Sequence, residues 1–108
     1  VGQAKARELL FTAPVITGQQ ALEFGLVNQV ADADGYDAMV REAAAQLAAM
    51  PTVALGYMKG NLNASYTGTL SQALDREAAG MARCFTTEDH KHAAKAFVEK
   101  RAPEFHGR

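Results

Sequence analysis

Residues 34–51 read DGYDAMVREAAAQLAAMP. Tyr36, Met39, Val40, Ala43, Ala44, Leu47 and Met50 recur at the i, i+3, i+4, i+7 spacing of one helical face, and the pattern holds to the end of the stretch. Asp32, Asp34 and Gly35 mark a turn before it, and Pro51 ends it. The repeating unit of this chain is therefore an amphipathic helix.

Toward the C-terminus, Pro51 suits the first turn of a second helix, where a missing N–H costs nothing. Leu55, Met58, Leu62 and Tyr66 share its face. Gly56 and Gly60 each weaken it by about 1 kcal/mol relative to Ala, which predicts close packing against another backbone. Thr67-Gly68-Thr69 is a turn, and Leu70, Ala73, Leu74, Ala78, Met81, Ala82 and Phe85 restore the helical period. Thr86 or Thr87 caps a last helix with Glu88 and Asp89 in its positive first turn and Ala93, Ala96 and Phe97 inside. Pro103 stops it, and residues 104–108 form a tail.

Toward the N-terminus, Ala6, Leu9, Leu10 and Ala13 form the stripe of a helix ended by Pro14. Thr17 with Gln20 has the form of a capping box for a short helix that Gly25 stops. Leu26–Val30 alternates and is expected to be extended, or one isolated strand. The expected fold class is all-α, with five or six short helices in a single domain over residues 1–108. The stripes are rich in Ala and bury little area per turn, so several faces are expected to pack on something outside this stretch. The opening at Val1, directly into a helix, reads as a cut end.

The 108 residues carry Lys+Arg 11 against Asp+Glu 12, a net charge of -1. That balance gives no general pull toward nucleic acid or anionic membranes. No apolar run reaches the length of a membrane span. Cys84, the single cysteine, excludes an internal disulfide and fits a reducing compartment, so a cytoplasmic setting is expected.

The chemical motifs are sparse. GxSxG, GxGxxG and GxxxxGK[ST] do not occur. His90 and His92 lie about 200° apart on a helix and cannot share an ion. Glu88 with His92 could, but a water-facing helix surface holding Asp89 and the histidines is the preferred reading, and no metal is expected. Glu77 falls on an apolar stripe; an ion pair, or a bond to a helix N-terminus or a subunit neighbour, is the preferred reading over a general acid or base. Lys91, Lys95, Lys100, Arg101 and Arg108 cluster with Phe97 and Phe105 near the end. Such a cluster is either a solvated face over core aromatics or a local phosphate site.

Three segments carry a resemblance. GQAKARELLFTAPVITGQQALEFGLVNQV (2–30) is similar to the segment of the enoyl-CoA hydratase/isomerase (crotonase) superfamily that reads G-x-A-x-x-L-L-x-T-G-x-x-I-x-A-x-x-A-x-x-x-G-L-V-x-x-V. TTED (86–89) with AAKAFVEKRAPEFHGR (93–108) resembles that family's T-x-D…A-F-x-E-K-R-x-P-x-F-x-G close, and LAAMPTVALGYMKGNLN (47–63) is also similar. The resemblance implies the C-terminal helical, trimerisation region of the crotonase/ClpP-like fold, with the N-terminal ββα spiral core lying outside this chain. It also implies a parent enzyme, a hydratase or isomerase in homotrimers or hexamers, acting on acyl-CoA thioesters without a cofactor. An enolate would be held in an oxyanion hole of two backbone N–H groups.

The family's oxyanion loop and catalytic glutamates belong to the N-terminal part, so no catalytic residue is expected here and the isolated chain is expected to be inactive. What carries over is coenzyme A contact by Phe97 and Lys100, expected at i and i+3 on one helix face, with Arg101 as a weaker candidate. Met81 matches a position that lines the acyl pocket. Two departures stand out: His92-Ala93 replaces the usual Glu-Gly, and Ala13 replaces the Gly after the first helix. The competing expectation is a non-catalytic oligomerisation or binding module with no coenzyme A role.

Overall fold

A computed structural model describes residues 1–108. It is all-helical: α1 (Gly2–Thr12), α2 (Gly18–Glu23), α3 (Ala33–Ala48), α4 (Thr52–Ser65), α5 (Leu70–Phe85) and α6 (Glu88–Val98). Two compact units divide the chain, Val1–Arg41 and Glu42–Arg108.

In the first unit α1 ends at Ala13, whose N–H donates to Leu9 O from the left-handed region, φ 43°. This is the position where the resembling family has Gly, and an L-residue pays about 1–2 kcal/mol for that conformation. Thr17 and Gln20 form the expected capping box: Thr17 N–H donates to Gln20 Oε1 at 2.9 Å and Gln20 N–H to Thr17 Oγ1 at 3.2 Å. Gly25, at φ +72°, stops α2 by a Schellman turn, with Leu26 N–H on Ala21 O and Gly25 N–H on Leu22 O. The Lys5 ammonium lies 4.7 Å from the Phe24 ring centroid and pairs with Glu8. Leu26–Val30 is not a strand, because no second segment offers it a ladder. Its Val30 packs on Gly18 instead. Asp34 and Gly35 fall inside the first turn of α3 rather than before it, with Gly35 N–H on Asp32 O.

In the second unit Pro51 is the N-cap of α4, one place earlier than expected, and its carbonyl accepts from Leu55 N–H. Gly56 and Gly60 meet no neighbour within 4 Å; the close approach is at Gly80, buried on α5, where a Cβ would touch Tyr57 of α4 at 3.4 Å. A second capping box, Thr69 with Gln72, starts α5. The α5–α6 junction turns on Thr87, whose hydroxyl donates to Cys84 O at 2.7 Å and accepts from His90 N–H at 3.1 Å. One side chain so satisfies the last turn of one helix and the first turn of the next.

Asp89 does not face water. It is 2% exposed, and its carboxylate accepts from His106 N–H at 2.7 Å and Gly107 N–H at 2.9 Å. Its own N–H donates to Arg108 O at 2.9 Å. The tail is thus clasped to the start of α6. Gly107 takes φ +71°, and a Cβ there would stand 2.6 Å from Thr52 Oγ1, so a larger residue would be strained and would displace the Thr52 side chain.

Little apolar surface is covered. Of the apolar side chains only Ala96 is fully buried, while Leu62, Tyr66, Leu70, Leu74 and Phe85 are all more than half exposed. The accessible area is 8769 Å², whereas two separate compact bodies of these lengths would expose roughly 7,000 Å². The excess resides in open helix faces.

Two stability predictions follow from these caps. Ala13→Gly removes the left-handed cost, offset in part by glycine's greater freedom when unfolded, for a net gain of about 0.5–1 kcal/mol. A thermal melt followed by circular dichroism should show a higher midpoint; an unchanged or lower one refutes the strained cap. The second concerns pH. The His106 N–H, helped by that of Gly107, holds the Asp89 carboxyl below the usual carboxylate range against the opposing effect of burial. These bonds need the ionised form, so their stabilisation is present above about pH 4 and fades as pH falls through the lowered value. Asp89→Asn should reduce stability at neutral pH and flatten the acid limb of the stability curve. An acid limb parallel to that of the unmodified chain would locate the dependence elsewhere.

Candidate functional site

The clustered cations lie at the two ends of α6. Lys91 pairs with Glu88 at 2.7 Å, and Lys95 and Arg101 both pair with Glu99, at 3.8 and 2.6 Å. The hydrogen bond from Lys91 holds the Glu88 carboxyl below its ordinary range, and that from Arg101 does the same for Glu99. Lys100 makes no ion pair. Of the three residues expected to contact coenzyme A, Arg101 is committed to Glu99 and Lys100 is free.

Phe97 and Lys100 are not on one helix face. α6 ends at Val98, and Lys100 stands beyond the cap with φ 54°. Its N–H donates to Phe97 O at 3.2 Å, and Arg101 N–H donates to Ala96 O at 3.0 Å. This is a Schellman turn with lysine where glycine is usual. The turn holds Lys100 close to Phe97 through the backbone rather than by the i, i+3 spacing. Phe97 is not a core aromatic either. Its side chain is 85% exposed, because α6 turns the small Ala96 inward at the next position.

Met81 is half-exposed and lines a groove of about 230 Å³ with Ala54, Tyr57, Met58, Glu77 and Cys84, between α4 and α5. Neither Phe97 nor Lys100 lines that groove. Glu77 is exposed at its rim and makes no ion pair within these residues, because the apolar stripe it belongs to is itself uncovered. A second groove, about 220 Å³, is bounded by Pro51, Val53, Cys84, His90, Ala93 and Phe105. There the His90 ring leans on Phe85 with centroids 4.7 Å apart. No three His, Cys, Asp or Glu side chains are grouped so as to hold a metal ion, and no helix is long and apolar enough to cross a membrane.

Sequence reasoning missed the Asp89 clasp and the Thr69 box. The box had a local signal, the same T-x-x-Q spacing as Thr17 with Gln20. The clasp had none, since an acid in a first turn reads equally well as a partner of the helix dipole.

Over residues 1–108 the sequence matches the family profile of enoyl-CoA hydratase/isomerase. A short-chain-enoyl-CoA hydratase from Clostridium acetobutylicum is 36% identical over 96% of this chain and 40% of its own length. A 1,2-epoxyphenylacetyl-CoA isomerase from Escherichia coli is 32% identical over 99% of this chain and 41% of its own. The crystal structure of an enoyl-CoA hydratase from Polaromonas sp. JS666 superposes with a TM-score of 0.86 at 32% identity, covering 98% of this chain and 41% of that one. The chain therefore spans about 40% of the length of these relatives, and its six helices match the C-terminal helical region of their fold. It belongs to the enoyl-CoA hydratase/isomerase family, within the crotonase superfamily.

Proposed function

We propose that residues 1–108 are the helical oligomerisation and coenzyme A rim domain of an enzyme acting on acyl-CoA thioesters, an enoyl-CoA hydratase or isomerase. The observation that carries the coenzyme A role is the turn after α6, whose backbone joins a lysine without an acidic partner to the exposed Phe97. An ammonium can pair with phosphate while the ring packs on adenine or pantetheine. Arg101, already held by Glu99, adds less, and Met81 supplies an adaptable wall of the acyl pocket. In this reading the enolate forms in an oxyanion hole contributed by chain outside these residues, and the reaction needs no cofactor. The uncovered faces of α4 and α5 serve assembly into a trimer or a pair of trimers. A cytoplasmic enzyme fits the single free Cys84.

One observation favours the competing module without a coenzyme A role. Glu99 holds two neighbouring cations, Lys95 and Arg101, and cancels one of their charges, which weakens the local field for a ligand of several negative charges.

The two readings part experimentally. In the intact protein Lys100→Ala should weaken coenzyme A binding, measured by titration calorimetry, by up to about fivefold at low salt and less at high salt. Unchanged affinity removes Lys100 from the site. The chain of 108 residues alone should not hydrate crotonyl-CoA and should self-associate in light scattering. Turnover by the pure chain would refute the division of labour, and a clean monomer would refute the assembly role.

A further inference from the structure

Lys100 holds a left-handed backbone, φ 54°, without being glycine. Such a residue persists where its surroundings over-determine the backbone. One constraint is the Schellman turn, Arg101 N–H on Ala96 O. The other comes from the opposite end of α6, where Asp89 grips the N–H groups of His106 and Gly107. Helix and return segment form a ring with Lys100 at its bend. From Asp89 to Lys100 the helix rises roughly 16 Å. The residues from Lys100 to His106 reach at most about 20 Å when fully extended. Pro103 stiffens that path further by locking its φ. The return path is short, so loss of the clasp frees its far end and removes one of the two constraints on the lysine turn.

We infer that Asp89 is a positioning residue for Lys100: by clasping the tail it anchors the return segment and keeps the lysine turn closed. Asp89 touches no ligand itself, and its effect on coenzyme A rests on the reading of Lys100 given above.

The test uses the intact protein, well below its melting temperature, with free coenzyme A as the probe. Asp89→Asn should speed exchange of the Arg101 amide about tenfold, and by clearly more than it speeds exchange of the α5 amides, which report only the general loss of stability. Gly107→Ala, which strikes the same clasp from the tail side, should do likewise. Unchanged Arg101 exchange in both variants overturns the inference whatever coenzyme A does. In calorimetry Asp89→Asn should weaken coenzyme A about threefold or more, and should add nothing in a Lys100→Ala background. If Lys100→Ala weakens binding and Asp89→Asn does not, or if the two losses simply add, the positioning role is wrong and the coenzyme A reading survives. If Lys100→Ala has no effect, the coenzyme A reading falls, and Arg101 exchange still decides whether Asp89 orders the turn.

Discussion

The second unit is closed by one carboxylate. Asp89, at the start of α6, accepts two N–H groups from the last residues of the chain and gives its own N–H to the final carbonyl. Burying a carboxylate is costly unless its oxygens are satisfied, and here backbone donors satisfy both. The bond pattern converts a segment that would otherwise leave the helix freely into a strap along it. Thr87 works at the same corner, tying the end of α5 to the start of α6 through a single hydroxyl. Phe105 and Ala93 then border one groove with Cys84 and His90.

Around that corner the helices are open. Their stripes are well formed in sequence, yet Leu62, Leu70 and Leu74 remain accessible, and the one wholly buried apolar side chain is an alanine. The contact between α4 and α5 is made by removing bulk, Gly80 admitting Tyr57. A pair of helices packed on small residues brings backbones close but covers few large side chains. This is how a chain that matches about 40% of a relative's length keeps six native-like helices while leaving most of their apolar faces uncovered.

Much of the secondary structure was legible because it depends on near neighbours. The face from Tyr36 to Met50, the Thr17 box, the Gly25 stop and a threonine cap at 86 or 87 all involve residues within a few positions of one another. The errors have equally definite causes. A glycine within a helix suggests close approach, which points to Gly56 and Gly60, but among these residues the glycine that meets another helix is the buried one on α5. Phe97 and Lys100 were placed on one face because the motif reads as helix, whereas α6 ends between them.

The sequence by itself determined the helical class, the order of the helices and the family, since periodicity, caps and linear motifs are properties of neighbouring residues. Tertiary structure decided which end of α6 is tied, how the lysine after it is held and which glycine brings two helices together. Those outcomes join residues far apart in the chain, as Asp89 joins His106 and Gly107, and no short-range pattern encodes which distant N–H a carboxylate will find.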